Sequence, residues 1–151
     1  MPAEAAPKEL GTFGAWVSYE LVEGGDKVCY MVSKPTKEEG NYSRRGEVFA
    51  LVTHRPSEKT RDVFSYITGY TYKAGSDATL TIDGKRYVLF VQNETAWTPD
   101  ADTDRKVASA IQKGSKMVVR GTSSRGTLTT DTFSLKGSGA AYKAITKACG
   151  L

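Results

Sequence analysis

Short runs rich in β-branched and aromatic residues, with apolar and polar positions alternating most clearly in one of them, recur along this chain, and helical spacing is confined to two short stretches. Alternation of that kind sends successive side chains to opposite faces of a strand, so the pattern predicts a β-rich fold. The clearest instance is Thr79-Leu80-Thr81-Ile82-Asp83-Gly84-Lys85-Arg86-Tyr87-Val88-Leu89-Phe90, two alternating runs joined by Asp-Gly. A type I′ turn needs positive φ at both central residues, which this pair tolerates, and the segment predicts a hairpin. Trp16 to Val22 and Lys27 to Ser33 predict another around Glu23-Gly24-Gly25-Asp26, with Cys29 on its returning strand. Lys116 to Thr122 and Thr127 to Leu135 predict one more through Ser123-Ser124-Arg125-Gly126, its second strand rich in β-branched residues and polar on a face expected to meet water. Glu47 to His54 and Val63 to Tyr70 are further strands, flanking a charged connection in which Pro56 argues against a central strand. The polar stretch from Pro35 to Gly46 predicts an exposed loop.

Asp102 to Gln112 has helical spacing, with Val107, Ala110 and Ile111 on one face and Gly114 as its stop. Ala140 to Ala148 groups Ala141, Ala144, Ile145 and Ala148, with Cys149 at its end and Gly150 as a C-terminal cap. Short strands outnumber helices by about eight to two, the spacing of a sandwich or barrel. The expected fold is therefore mainly β, an antiparallel β-sandwich with two short accessory helices; a small β-barrel of the same strands is the alternative. At 151 residues and 39% hydrophobic, the chain supports one buried core rather than two. We expect a flexible N-terminal segment over residues 1–9 and a single domain over 10–151. Met1 to Lys8 is small and rich in Pro and Ala, as at the start of a mature exported chain, and a signal peptide is expected to lie outside this sequence. No apolar run reaches the ~18 residues of a transmembrane helix.

Two cysteines, Cys29 and Cys149, accompany a single histidine. With His54 they make three ligands where zinc takes about four, and their separation excludes the C-x-x-C redox and haem-attachment motifs. The arithmetic favours one long-range disulfide and an oxidising compartment, against the alternative of two free buried thiols. Formal net charge is +4, from 21 basic and 17 acidic residues spread along the chain. No nucleic-acid motif or phosphate loop accompanies that charge, so no nucleic-acid partner is expected, whereas affinity for an anionic surface stays open.

Asp100, Asp102 and Asp104 resemble the opening of a calcium loop. Arg105 and Ile111 stand where such a loop needs Gly and Glu, so charge at a helix amino terminus is the better account. His54 would have to serve any Ser-His-Asp triad, and no G-x-S-x-G elbow accompanies it. No enzyme activity, metal or cofactor is expected. Tyr42, Arg44, Arg45, His54, Arg55, Lys59 and Arg61 gather around two predicted loops. If both loops lie at one end of the fold, these residues form a basic rim, the candidate binding surface; solvated loop charge is the ordinary alternative. On that reading, neutralising Arg44 and Arg45 leaves the fold intact and weakens binding to an anionic partner.

Several segments resemble one known family. Phe13-Gly14-Ala15-Trp16 and Lys27-Val28-Cys29-Tyr30 match its opening, followed by Gly40-Asn41-Tyr42-Ser43-Arg44-Arg45-Gly46, Val52-Thr53-His54-Arg55-Pro56 and Gly114-Ser115-Lys116-Met117-Val118-Val119. The most specific stretch runs from Gly121-Thr122-Ser123-Ser124-Arg125-Gly126-Thr127 to Asp131-Thr132-Phe133-Ser134-Leu135, with Ala140-Ala141-Tyr142 and Ala148-Cys149 after it. The chain thus resembles the invasion associated locus B family of exported bacterial proteins. The resemblance implies a Gram-negative periplasmic, outer-membrane or surface protein with an immunoglobulin-like β-sandwich, a Cys29–Cys149 pair and a link to host-cell invasion. It implies no catalytic residues. Two functions follow as expectations: a surface protein that binds a host-cell or envelope partner, or a periplasmic maintenance protein whose link to invasion is indirect.

Overall fold

A computed structural model describes residues 6–151. Its strands are β1 (Lys8–Phe13), β2 (Trp16–Glu23), β3 (Asp26–Ser33), β4 (Lys37–Gly40), β5 (Phe49–Arg55), β6 (Thr60–Ile67), β7 (Asp77–Ile82), β8 (Lys85–Gln92), β9 (Thr95–Trp97), β10 (Lys116–Thr122) and β11 (Leu128–Ser134). The helices are α1 (Ala101–Lys113) and α2 (Ser138–Ala148). Both turns read from paired special residues form as expected. Gly24 and Gly25 join β2 to β3, Asp83 and Gly84 join β7 to β8, and all four have positive φ.

All eleven strands belong to one antiparallel sheet in the order β1-β2-β3-β5-β6-β9-β8-β7-β10-β11-β4. Laid flat at the usual strand spacing, β6 and β11 would stand about 24 Å apart. Instead the rings of Tyr66 on β6 and Phe133 on β11 meet edge to face at 5.8 Å, and the Trp16 indole of β2 donates to the Ser134 carbonyl at 3.2 Å. The sheet therefore folds over on itself, and its inward faces enclose one core. Trp16, Met31, Val52, Phe64, Leu80, Leu89, Met117 and Phe133 meet there, all fully buried. This is the expected mainly β sandwich, made from a continuous sheet.

Three strands escape the alternation rule. The Lys-Glu-Glu-Gly run of β4 lies inside the expected loop, pairs with β11 and is exposed throughout, so it carries no hydrophobic signal. β9 has only three residues, and a register shift between Glu9 and Gly11 breaks the pattern of β1. Of the N-terminal segment expected to be flexible, residues 1–5 lie outside the described residues, while Lys8 and Glu9 pair with Glu20 and Tyr19.

The helices behave as their sequences direct. Asp100 caps α1 by accepting from the Thr103 amide at 2.7 Å, and Val107, Ala108 and Ile111 face the core. Asp104 turns inward, accepting from the Phe64 amide at 3.0 Å and from the Thr98 hydroxyl. α2 lies against β1, β2 and β3, where the Ser18 hydroxyl donates to the Ala141 carbonyl at 2.9 Å. Its entry is set by a close approach of two backbones. Gly137 and Gly14 both have positive φ, and a Cβ on either would strike the other segment, at Phe13 O and Lys136 O respectively. After its last turn Gly150 takes the left-handed conformation, and Cys149 is bridged to Cys29 with their Cα atoms 6.1 Å apart.

Candidate functional site

One end of the folded sheet carries a cleft of about 1040 Å³. Three connections build it: residues 41–46 ahead of β5, residues 69–71 after β6, and the β10–β11 turn. Backbone bonds pin them together. The Gly46 amide donates to the Gly69 carbonyl and the Ser124 amide to the Thr71 carbonyl, both at 2.8 Å, and the turn is closed by Ser123 N to Thr127 O at 2.8 Å. The Tyr70 and Thr129 hydroxyls meet at 2.6 Å. The walls are thereby held in place without a ligand.

Arg45 forms the floor, its side chain only 2% exposed. The guanidinium grips Asp131 through both nitrogens, Nη1 to Oδ1 at 2.7 Å and Nη2 to Oδ2 at 2.6 Å, and Nε donates to the Thr68 carbonyl at 2.8 Å. The rings of Tyr42 and Tyr70 stand 5.3 and 5.1 Å from its central carbon. Burial opposes the charge on Arg45, but the hydrogen bonds and attraction from Asp131 outweigh it and raise its pKa further. Burial, and then the Asp131 carboxylate, push the Tyr66 phenol up, which keeps it protonated as a donor to Asp131. Arg44 and Arg125 also line the cleft, and among the described residues neither forms an ion pair.

The common basic rim expected from the sequence does not form. Tyr42, Arg44 and Arg45 lie at the cleft, but Arg55 ends β5, whose seven residues span about 20 Å, and Lys59 and Arg61 lie beyond that far end. There Arg55 pairs with Glu23 at 3.0 Å, and Arg61 contacts Asp62 at 3.7 Å and Tyr142 at 3.3 Å. Two of the seven residues are buried rather than on a rim: His54 fully, and Arg45 on Asp131. The expectation that Arg44 and Arg45 can both be neutralised without cost to the fold fails for Arg45 on this geometry.

His54 sits between β5 and α2, and its strand neighbour is Cys29. Its Nδ1 accepts the Asp62 amide at 3.0 Å, so the ring proton is on Nε2, which donates to Thr146 Oγ1 at 3.1 Å. A hydrolytic triad needs both polarities reversed: Nε2 accepting from the hydroxyl and Nδ1–H donating to the carboxylate. The Asp62 carboxylate is 3.8 Å from Nδ1 and is held instead by the Tyr142 hydroxyl at 2.5 Å. This His54–Thr146 pair is a packing contact with its hydrogen bonds satisfied.

Burial lowers the His54 pKa below 6.5, with Asp62 opposing and Arg61 assisting. Between the folded value and 6.5 the unfolded chain binds more protons than the folded one, so stability falls as pH falls through that window and is fully present above it. Denaturant midpoints measured from pH 7 to pH 5 should drop, and His54→Gln should lessen the slope. An unchanged slope in that variant would assign the pH dependence to other groups.

Sequence reasoning missed Tyr70, Ser124, Arg125, Thr127 and Thr129 as cleft residues, and Asp131 as the partner of Arg45. A signal was present. Gly40 to Gly46 and Gly121 to Thr127, two of the segments that carry the family resemblance, both contribute residues to the cleft lining.

A family model described as Invasion associated locus B (IalB) protein matches residues 20–146. Among curated proteins nothing matches. Among solved structures, the crystal structure of invasion associated protein B from Bartonella henselae is similar at a TM-score of 0.63 and 17% identity, covering 95% of this chain and 97% of that one. At that identity the likeness is one of fold.

Proposed function

The chain belongs to the invasion associated locus B family, and from that membership we propose a non-enzymatic, exported envelope or surface protein, associated with host-cell invasion, whose domain over residues 10–151 acts by binding a partner. The single observation that carries the binding role is the pinned cleft in which Arg44 and Arg125 have no acidic partner among the described residues. The Cys29–Cys149 bridge favours an oxidising compartment, the periplasm or the cell exterior. Among the described residues no helix is long and apolar enough to cross a membrane.

The test is crosslinking capture with the oxidised protein as bait, run against host-cell membranes and against the bacterium's own envelope fraction. A second bait carries Ser124→Trp, an exposed substitution that fills the cleft mouth. The expected result is a saturable host-membrane partner that the filled cleft no longer captures. A partner found only in the bacterial envelope would replace this reading with periplasmic maintenance and an indirect link to invasion. Capture indifferent to Ser124→Trp would move the site away from the cleft.

A further inference from the structure

Resting on that reading of the cleft, we propose that its ligand is an oligosaccharide bearing anionic groups. Charge is the first reason. Among the described residues no Asp or Glu lines the cleft, and Arg45 is already neutralised by Asp131, so the field offered to a ligand comes from Arg44 and Arg125. Glu38, the other carboxylate near Arg45, lies 3.6 Å from it and outside the lining. A pocket of one sign with fixed walls concentrates ions of the other.

The rest of the lining selects within the anions. Eight of its fourteen residues are Ser, Thr or Tyr, and none is Val, Ile, Leu, Met, Phe or Trp. Such a surface offers a lipid tail no aliphatic side chain larger than threonine, and it matches a ligand whose own surface is mostly hydroxyl. Tyr42 and Tyr70 hold ring positions through Arg45, so aromatic area is available beside the hydroxyls without ordering a mobile side chain. The volume, about 1040 Å³, is far more than a lone sulfate or phosphate fills and lies at the upper end of ordinary ligand clefts. Several sugar rings fit that space, with their anionic substituents on the two arginines.

Two sources carry this chemistry, animal matrix glycans and the bacterium's own outer-membrane saccharides. Calorimetric titration of the oxidised protein would use a heparan sulfate hexasaccharide, deacylated lipopolysaccharide core oligosaccharide, neutral maltohexaose, inorganic sulfate and a short oligothymidylate. We expect at least one acidic saccharide to bind ten times more tightly than maltohexaose and sulfate. We also expect Arg44→Gln/Arg125→Gln to weaken it at least tenfold with an unchanged unfolding midpoint. The tighter of the two acidic saccharides identifies the source. The proposal is overturned if neither binds, if the double variant binds equally, or if oligothymidylate binds as tightly, which would reduce the site to a general polyanion surface. Failure here while Ser124→Trp still abolishes capture rejects the saccharide and keeps the cleft; failure of both rejects both.

Discussion

Arg45→Met is expected to destabilise the folded chain by about 3–5 kcal/mol, the cost of leaving one member of a buried ion pair without its partner. The Asp131 side chain is 1% exposed and has two guanidinium bonds and the Tyr66 hydroxyl as its ligands. Removing the guanidinium leaves a buried carboxylate with one neutral donor. Arg44 stands one residue away and is exposed. Arg44→Gln should fall within about 0.5 kcal/mol of the parent, as surface substitutions usually do. Adding Asp131→Leu to Arg45→Met should recover part of the loss, because replacing both charges removes the penalty. It still orphans the Tyr66 hydroxyl, at about 1–3 kcal/mol. Denaturant unfolding of the four proteins decides the matter. A loss below about 1 kcal/mol for Arg45→Met would mean that the cleft floor is open to solvent and that Arg45 belongs to the binding surface after all.

The second large effect is expected from the Cys29–Cys149 bridge. It closes a loop of sequence separation 120, and chain-entropy arithmetic for that length gives a stabilisation of about 5 kcal/mol, at the upper end of measured disulfides. The Cys29→Ala/Cys149→Ala variant should therefore unfold at much lower denaturant, and the parent should follow it when reduced. The loss also has a place. Cys149 directly follows α2, which reaches the sheet through Ser18, His54 and the bridge. Hydrogen exchange should accelerate first over residues 145–151, ahead of the β7–β8 hairpin. Equal midpoints with and without reductant would show that packing of α2 suffices, and would remove the argument for an oxidising compartment.

How much of this was legible beforehand varies with the distance over which each feature is decided. The β7–β8 turn was readable because Asp83 and Gly84 need positive φ and little else. The start of α1 was readable because Asp100 sits three residues from the amide it caps. β4 was not, since four exposed residues paired on one edge leave no mark in hydrophobicity. Arg45 shows the limit most plainly. In the sequence it is one of two adjacent arginines in a polar loop, and Arg44 and Arg45 look alike. One remains at the mouth of the cleft, and the other is drawn into the core by a carboxylate 86 residues away.

The sequence by itself determined eight of the eleven strands, the two paired-residue turns and both helices, and it favoured the pairing of its only two cysteines. Each follows from backbone preferences over a few residues or from simple counting. Only the tertiary structure decided that eleven strands form one folded-over sheet, that His54 faces α2, and that the loops at the two ends of β5 stay apart. It also decided that Asp131 neutralises Arg45 while Arg44 and Arg125, unpaired among the described residues, line the same cleft. These are contacts between residues far apart in the chain, and the burial that sets their charge and hydrogen bonding exists only once the sheet has closed.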